Sequence, residues 1–407
     1  MTAQEITKIL GGWEGYRVDT VGPSPEGGDE IWIELHREEG PGRCGTCGAL
    51  CVTIHDWAER WVRELPVFGR PCRLLVHRCR LWCANCGGPK VERLSWLEPW
   101  ARHTVRFGAS VARLCKVATH KHVAREYGID RKTVKNIDKR HMERELGPVD
   151  LSDVRLLVMD EFAIQKGHRY ATVMVEPRRK EVLWVGRGNG RKDIRPFFEA
   201  LGEAGRRRIE AVAMDMNAAY AQEVRAQCPQ AEIVYDLFHV VAKYGREVID
   251  RVRVDEANRL KHDKAGRKVV KGARWLLLRN ARNIVRHKDR VRLKELLAAN
   301  RKLATVYVLK DDLKHLWDYT YPGAARRFWE QWYSRAIRSR IEPLKAFAKK
   351  LKGYLDGILA HCRFPLHTSL IEGINNKIKV IKRMAYGYRD DDYFFLKIRQ
   401  AFPGNGS

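Results

Sequence analysis

Val154-Arg155-Leu156-Leu157-Val158-Met159-Asp160 and Ile209-Glu210-Ala211-Val212-Ala213-Met214-Asp215 are two aliphatic runs, and each ends on an aspartate. Apolar runs of this length, rich in β-branched residues, suit buried strands. Further strands are expected over Tyr170–Glu176, Glu181–Val185 and Glu232–Tyr235, and helices over Asp193–Glu203 and Ala218–Ala226. A third carboxylate, Glu372, opens the helix-like stretch Ser369-Leu370-Ile371-Glu372-Gly373-Ile374-Asn375-Asn376-Lys377-Ile378-Lys379, with His367-Thr368-Ser369 as its cap region. At about 100° per residue, Glu372, Asn376, Lys379 and Arg383 share one face and Ile371, Ile374, Ile378 and Ile381 another. Carboxylates at two strand ends and on one helix can converge on a pair of hard divalent cations. Such a pair activates water and stabilises a leaving oxygen in phosphoryl transfer.

The order of these elements, β-β-β-α-β-α-β-α, is the ribonuclease-H-like layout. Asp160 then lies on the first strand, Asp215 just after the fourth, and Glu372 on a late helix. Asp236 follows the Glu232–Tyr235 strand and pairs in sequence with His239 as Asp-x-x-His. This pair reads as a metal's outer shell or as a plain strand-to-helix cap. Asp236 competes with Asp215 as second ligand, and strand order favours Asp215. Glu161 should point to the opposite strand face from Asp160. Asp215 and Glu372 are 157 positions apart, so an all-helical insertion is expected over Val240–Phe364. Its aromatics, Trp275, Trp317, Tyr319, Tyr321, Phe328, Trp329, Trp332 and Tyr333, fall mostly at helical spacing. Core packing is their default role, with one or two free to stack on an unpaired base.

The formal charge of this 407-residue chain is +27. Lys243–Lys310 alone holds 21 Lys/Arg against 7 Asp/Glu. With 44% hydrophobic residues the chain can build packed cores, so the excess charge points to a polyanionic partner rather than disorder. The run Arg259–Arg301 should grip DNA backbone and give steep salt dependence. No apolar run approaches about 20 residues, and the N-terminus lacks the pattern of a signal peptide. A cytoplasmic, nucleoid-associated protein with no membrane partner is expected.

Seven of the ten cysteines lie between Cys44 and Cys86. Cys44-Gly-Thr-Cys47-Gly and Cys83-Ala-Asn-Cys86-Gly are C-x-x-C-G knuckles, and four thiolates make a closed, structural Zn²⁺ site. The 35 residues between the knuckles make an enlarged, β-rich ribbon. Cys51, Cys72, Cys79 and His77 are spare; most should be small core residues, and Cys79 or His77 could substitute as a ligand. The ribbon's arginines could support DNA contact, or its role could be architectural. Behind it, Val123–Met142 has the form of a helix-turn-helix, with Phe107–Thr119 as a supporting helix. Ala124 permits close helix approach, Gly128 supplies the turn, Asp130 caps the second helix. That second helix would present Arg131, Lys132, Thr133, Lys135, Asn136 and Lys139 to a major groove.

The whole is a multidomain α/β chain. A zinc-ribbon-like β domain (1–98) precedes a helix-turn-helix domain (99–149). A ribonuclease-H-like core in two parts (150–240 and 365–407) is interrupted by the all-helical insertion (241–364). Met214-Asp215-Met216-Asn217-Ala218-Ala219-Tyr220, Tyr235-Asp236-Leu237-Phe238-His239-Val240, Ile371–Lys379 and Arg383-Met384-Ala385-Tyr386-Gly387-Tyr388 carry a more specific signal. Across nearly its full length the chain resembles the DDE transposases of bacterial insertion sequences, in the ISL-three family with a zinc-binding front end. The resemblance implies that Asp160, Asp215 and Glu372 bind two Mg²⁺ (or Mn²⁺) ions. It also implies attack on DNA phosphodiesters by water and then by a 3′-hydroxyl, and would add a role for Asp236 and His239 in organising the scissile strand. The double-stranded DNA partners would be terminal inverted repeats and target DNA. A homodimer or higher assembly is expected, because two ends must be brought together. A silent transposase-derived repressor, or a ribonuclease-H-like nuclease that cuts without joining, are the rival readings.

Overall fold

The computed structural model describes residues 12–23, 28–165, 167, 169–279, 283–366 and 369–404. The expected cap at His367 and Thr368 lies outside them, as does the side chain of Ser369. The chain forms two compact units, Met1–Gly147 with Lys382–Lys397, and Pro148–Ile381 with Ile398–Ser407.

In the first unit, β1 (Tyr16–Pro23), β2 (Ile31–Arg37), β5 (Ile54–Val67), β6 (Arg70–Cys83) and β7 (Gly88–Val91) form one sheet in the order β1-β2-β6-β5, with β7 also on β6. β2 and β6 are parallel; the other pairs are antiparallel. The two-residue strands β3 (Gly42–Arg43) and β4 (Leu50–Cys51) pair beside the first knuckle. Period-two alternation drives β6: Cys72, Leu74 and Val76 are buried, while Arg73, Leu75 and His77 stay half-exposed. Three helices follow: α1 (Val105–Cys115), α2 (His120–Tyr127) and α3 (Arg131–Leu146). The buried Glu64 carboxylate of β5 ties the sheet to α1. It accepts from Trp13 Nε1 (3.0 Å), from Thr104 Oγ1 (3.0 Å) and from Arg106 Nε (2.8 Å). Three donors on one buried carboxylate offset its desolvation.

The second unit is built on a five-stranded mixed sheet in the order β10-β9-β8-β11-β12. Its strands are β8 (Leu156–Gln165), β9 (Arg169–Glu176), β10 (Glu181–Arg187), β11 (Ala211–Met214) and β12 (Glu232–Tyr235). β8, β9 and β10 are an antiparallel meander, and β11 and β12 add in parallel. Parallel neighbours need crossovers, supplied by α4 (Arg191–Arg208) and α5 (Ala218–Gln227). The strand expected to stop at Asp160 runs on to Gln165, because β9 pairs with it as far as Gln165↔Arg169. That pairing is non-local and leaves no mark in the apolar run itself.

From α6 (Leu237–Tyr244) to Cys362 the described residues form no strand. A π-turn over Gly245–Ile249 leads into α7 (Asp250–Arg259), α8 (Lys264–Gly272), α9 (Arg274–Leu278), α10 (His287–Ala299), α11 (Arg301–Lys314), α12 (Pro322–Arg338), α13 (Glu342–Lys352) and α14 (Leu355–Leu359). The insertion's core is bolted by buried polar contacts. Tyr244 Oη donates to Val306 O (2.9 Å) and Trp332 Nε1 to Leu309 O (2.8 Å). Lys310 Nζ donates to Leu277 O (2.7 Å) and Arg279 O (2.9 Å), capping the carbonyl end of α9.

The final helices are α15 (Ser369–Met384) and α16 (Asp391–Ala401). The sequence assigned 365–407 wholly to the core, whereas Lys382–Lys397 pack with the first unit. Lys397 Nζ pairs with the buried Asp138 carboxylate of α3 (2.7 Å), Tyr393 Oη bonds the same carboxylate, and His120 Nε2 lies 2.7 Å from Tyr393 Oη.

Candidate active site and nucleic-acid contacts

The β8–β11 register fixes the centre of the site. Ala213 pairs with Val158; Asp160 lies two residues further along β8, and Asp215 lies two residues further on, just past the end of β11 at Met214. Asp160 is 8% exposed. Its Oδ1 accepts the Glu161 N–H (2.8 Å) and its Oδ2 accepts Asn375 Nδ2 (2.6 Å). Asp215 Oδ1 accepts the Asn217 N–H (3.1 Å), and Asn217 in turn caps α5 through Ala219 N–H (2.9 Å). Burial raises both carboxyls, Asp215 to about 6, and the nearby positive form of His239 opposes the rise. Asp160 and Glu161 push Asp215 up further. Glu161 Oε2 is held by Asn189 Nδ2 at 2.6 Å. Asp236 is buried at the N-terminus of α6, with His239 Nε2 3.9 Å from its Oδ2.

Glu372 is exposed on α15, one turn before Asn375. Ile371, Ile374 and Ile378 bury the opposite face as expected. Asp160, Asp215 and Glu372 are not among the groups of described residues whose ligand atoms all lie within 4.8 Å of one another. The structure brings Asp160 together with the α15 amide of Asn375, sets His239 near enough to both aspartates to act on their charge, and leaves Glu372 exposed on α15. Asn376 and Lys379 are exposed and bond each other (3.3 Å), and Arg383 is exposed. Asn375, not singled out from the sequence, is the residue of α15 that touches Asp160. Its i+3 spacing from Glu372 is as good a helical signal as the i+4 of Asn376.

The donor set suits a hard divalent cation. Two clustered carboxylates raised by burial and mutual repulsion are groups whose charged forms a cation would favour. The buried Asn375 Oδ1, without a protein hydrogen-bond partner, is a further oxygen beside them.

The knuckles meet as expected. Cys44 Sγ lies 3.9 Å from Cys86 Sγ, and Cys47 Sγ lies 3.5 Å from Cys83 Sγ. A tetrahedron with Zn–S bonds of about 2.3 Å has edges of about 3.8 Å. Backbone amides of Cys47 and Thr46 hold the Cys44 thiol down to about 6, the thiolate character a zinc ligand needs. Gly48 and Gly87 adopt φ +78° and +61°, conformations that close each knuckle. Cys51 and Cys79 pack around the cluster, and Cys72 lies in the sheet core. His77 instead bonds Glu34 Oε1 at 2.9 Å.

In the helix-turn-helix, Gly128 ends α2 at φ +59°, and Asp130 accepts the N–H groups of Lys132 (2.8 Å) and Thr133 (2.9 Å). Arg131, Lys132 and Asn136 are exposed; Thr133, Lys135 and Lys139 are half-buried. Lys135 Nζ is engaged by Asp390 Oδ2 at 2.6 Å and lies over the Tyr393 ring. In the insertion, Arg259, Arg301, Lys302, Arg335, Arg338 and Arg340 line a cleft of about 1090 Å³. The last four lie beyond the Arg259–Arg301 run read from the sequence. Most insertion aromatics are buried or half-buried, but Trp275 and Tyr321 are exposed (65% and 67%). These two are the ones free to stack.

Three family models match the chain. Residues 40–86 match a zinc-finger of transposase IS204/IS1001/IS1096/IS1165. Residues 92–142 match the helix-turn-helix domain of transposase family ISL3, and residues 157–398 match the transposase domain of that family. The chain is 52% identical over 405 residues to the transposase for insertion sequence element IS1001 of Bordetella parapertussis, covering 100% of both chains. It is 28% identical over 378 residues to the transposase for insertion sequence element IS1557 of Mycobacterium tuberculosis, covering 85% of this chain and 82% of the relative.

Proposed function

The chain belongs to the ISL3 family of transposases, and on that premise we propose that it binds the terminal inverted repeats of an insertion sequence and cuts and joins DNA with Asp160, Asp215 and Glu372. The observation that supports this reading is the β8–β11 pairing, with Asp160 on β8 and Asp215 just past the end of β11, and with α15 tied to Asp160 through Asn375. The 3-2-1-4-5 strand order, with its meander and two parallel additions, supports a ribonuclease-H-like core. The three carboxylates would hold two Mg²⁺ (or Mn²⁺) ions, which supply Lewis-acid activation of the attacking oxygen and neutralise charge on the leaving one.

The protein's own groups prepare that site. Backbone amides fix one oxygen of each aspartate, and the Asn375 side chain holds the second oxygen of Asp160. Asn375 orients Asp160, and His239 with Asp236 borders the site where a scissile strand would lie. Glu372, exposed on α15, would supply the third carboxylate. The exposed cations of α3 supply the sequence-reading surface, and the arginine cleft supplies backbone grip. A Zn²⁺ held by Cys44, Cys47, Cys83 and Cys86 is structural. Two ends acting together call for a homodimer or larger assembly, working in the bacterial cytoplasm on nucleoid DNA. The test is Glu372→Gln. Cleavage of end DNA should fall by at least about 100-fold, the typical cost of one transition-state charge stabiliser. End affinity should stay within twofold. Full cleavage by this variant contradicts the assignment.

A further inference from the structure

The exposed face of the N-terminal sheet carries a second constellation of metal-ligating side chains, none of them among the four thiols. Glu34 and His36 are two apart on β2, so they share a face. β2 and β6 are parallel with Leu35 opposite Val76, which makes His36 and His77 neighbours on that same face. Both imidazoles turn the same atom to one point. His77 Nε2 lies 2.9 Å and His36 Nε2 3.2 Å from Glu34 Oε1. The two rings stack with centroids 4.0 Å apart and 27° between planes. All three ligand atoms lie within 4.8 Å of one another.

We propose that Glu34, His36 and His77 form a second zinc site, separate from the four-thiol site. Two imidazoles and a carboxylate are a donor set for a borderline divalent ion. With Zn–N and Zn–O bonds of about 2.0–2.1 Å, a tetrahedral site has ligand edges of about 3.3 Å, close to the 2.9 and 3.2 Å found. The far side of His77 is prepared as well. Glu59, opposite it on β5, places Oε1 4.0 Å from His77 Nδ1. At that distance the carboxylate is not hydrogen-bonded to the ring, but its charge beside Nδ1 favours the tautomer that carries the proton there and leaves Nε2 free to ligate. Glu34 and His36 are 20% and 38% exposed at the side chain, so the ion has an entry path and a fourth position open to water. Such an ion cross-links β2 to β6 on a face that the apolar core does not cover.

The plain alternative is a carboxylate bridging two stacked histidines by hydrogen bonds alone, and zinc stoichiometry separates the two. The full-length chain is equilibrated with excess Zn²⁺, dialysed and analysed for metal. Two zinc ions per chain are expected, and one per chain overturns the proposal. His36→Gln with His77→Gln should hold one zinc. When loaded with cobalt, it should keep the thiolate charge-transfer band of the ribbon. If the double variant loses that band through misfolding, Glu59→Gln decides, since its side chain is 58% exposed. It should weaken the second zinc about 10–100-fold and leave the first unchanged. Glu34→Gln removes the anionic ligand itself and should cost the second ion its affinity; a second zinc held by that variant at unchanged affinity overturns the site.

Discussion

Replacing Asp215 by Asn should stabilise the magnesium-free protein at neutral pH. Burial and the neighbouring Asp160 raise the Asp215 carboxyl to about 6 in the folded chain, against about 3.9 unfolded. Its folded form therefore holds its proton more tightly than the unfolded form does. The associated stability is fully present below about pH 3.9 and is lost as pH rises through 6. At about 1.4 kcal/mol per pH unit that loss approaches 3 kcal/mol; sharing of the proton with Asp160 reduces it to about 2 kcal/mol. Asparagine keeps an oxygen for the Asn217 N–H and carries no charge to desolvate. The assay is urea unfolding of parent and variant between pH 4 and 7.5, with the ribbon zinc-loaded and magnesium absent. The variant's advantage should be near zero at pH 4 and about 2 kcal/mol at pH 7.5, and millimolar Mg²⁺ should shrink it by stabilising only the parent. A variant less stable than the parent at pH 7.5 without magnesium refutes the reasoning.

Three further outcomes are expected. Removing zinc with a chelator should unfold the knuckle region around β3 and β4 and weaken binding to end DNA; circular dichroism and a gel shift check both, and unchanged binding refutes the ribbon's role. Asp390→Asn should release Lys135 to a phosphate, tightening DNA binding and steepening the slope of log affinity against log salt by about 0.9; an unchanged slope means Lys135 serves only the fold. Lys310, held by burial down to about 8, favours its neutral form when folded. Its contribution is thus present above about pH 10.4 and lost as pH falls through 8. The parent should gain stability from pH 8 to 10 at up to about 1.4 kcal/mol per unit, and Lys310→Met should lack that gain.

The sequence was most legible where local composition decides structure. The runs ending at Asp160 and Asp215 are apolar because the sheet buries them, so the strands and the order of elements along the chain could be read directly. The knuckle spacing and the Gly128–Asp130 turn are likewise local chemistry, and both appear where expected. What could not be read depends on pairing between distant segments. The extension of β8 to Gln165 needs β9, and the placing of Lys382–Lys397 in the first unit needs Asp138 on α3. Lys135 looked like a free cation because Asp390 lies 255 positions away. Helical periodicity put Asn375 and Asn376 equally near Glu372, and only docking against β8 separates them. Glu34, His36 and His77 become a cluster only once β2 lies beside β6 in parallel.

The most direct measurement incubates the purified chain with Mg²⁺, DNA carrying the element's ends and a supercoiled target, and scores cut and joined products together. The account predicts joined products from the parent chain and neither product from Asp160→Asn, with end binding retained. Cutting without joining contradicts the transposition chemistry proposed here, and joining by Asp160→Asn contradicts the placement of the active site.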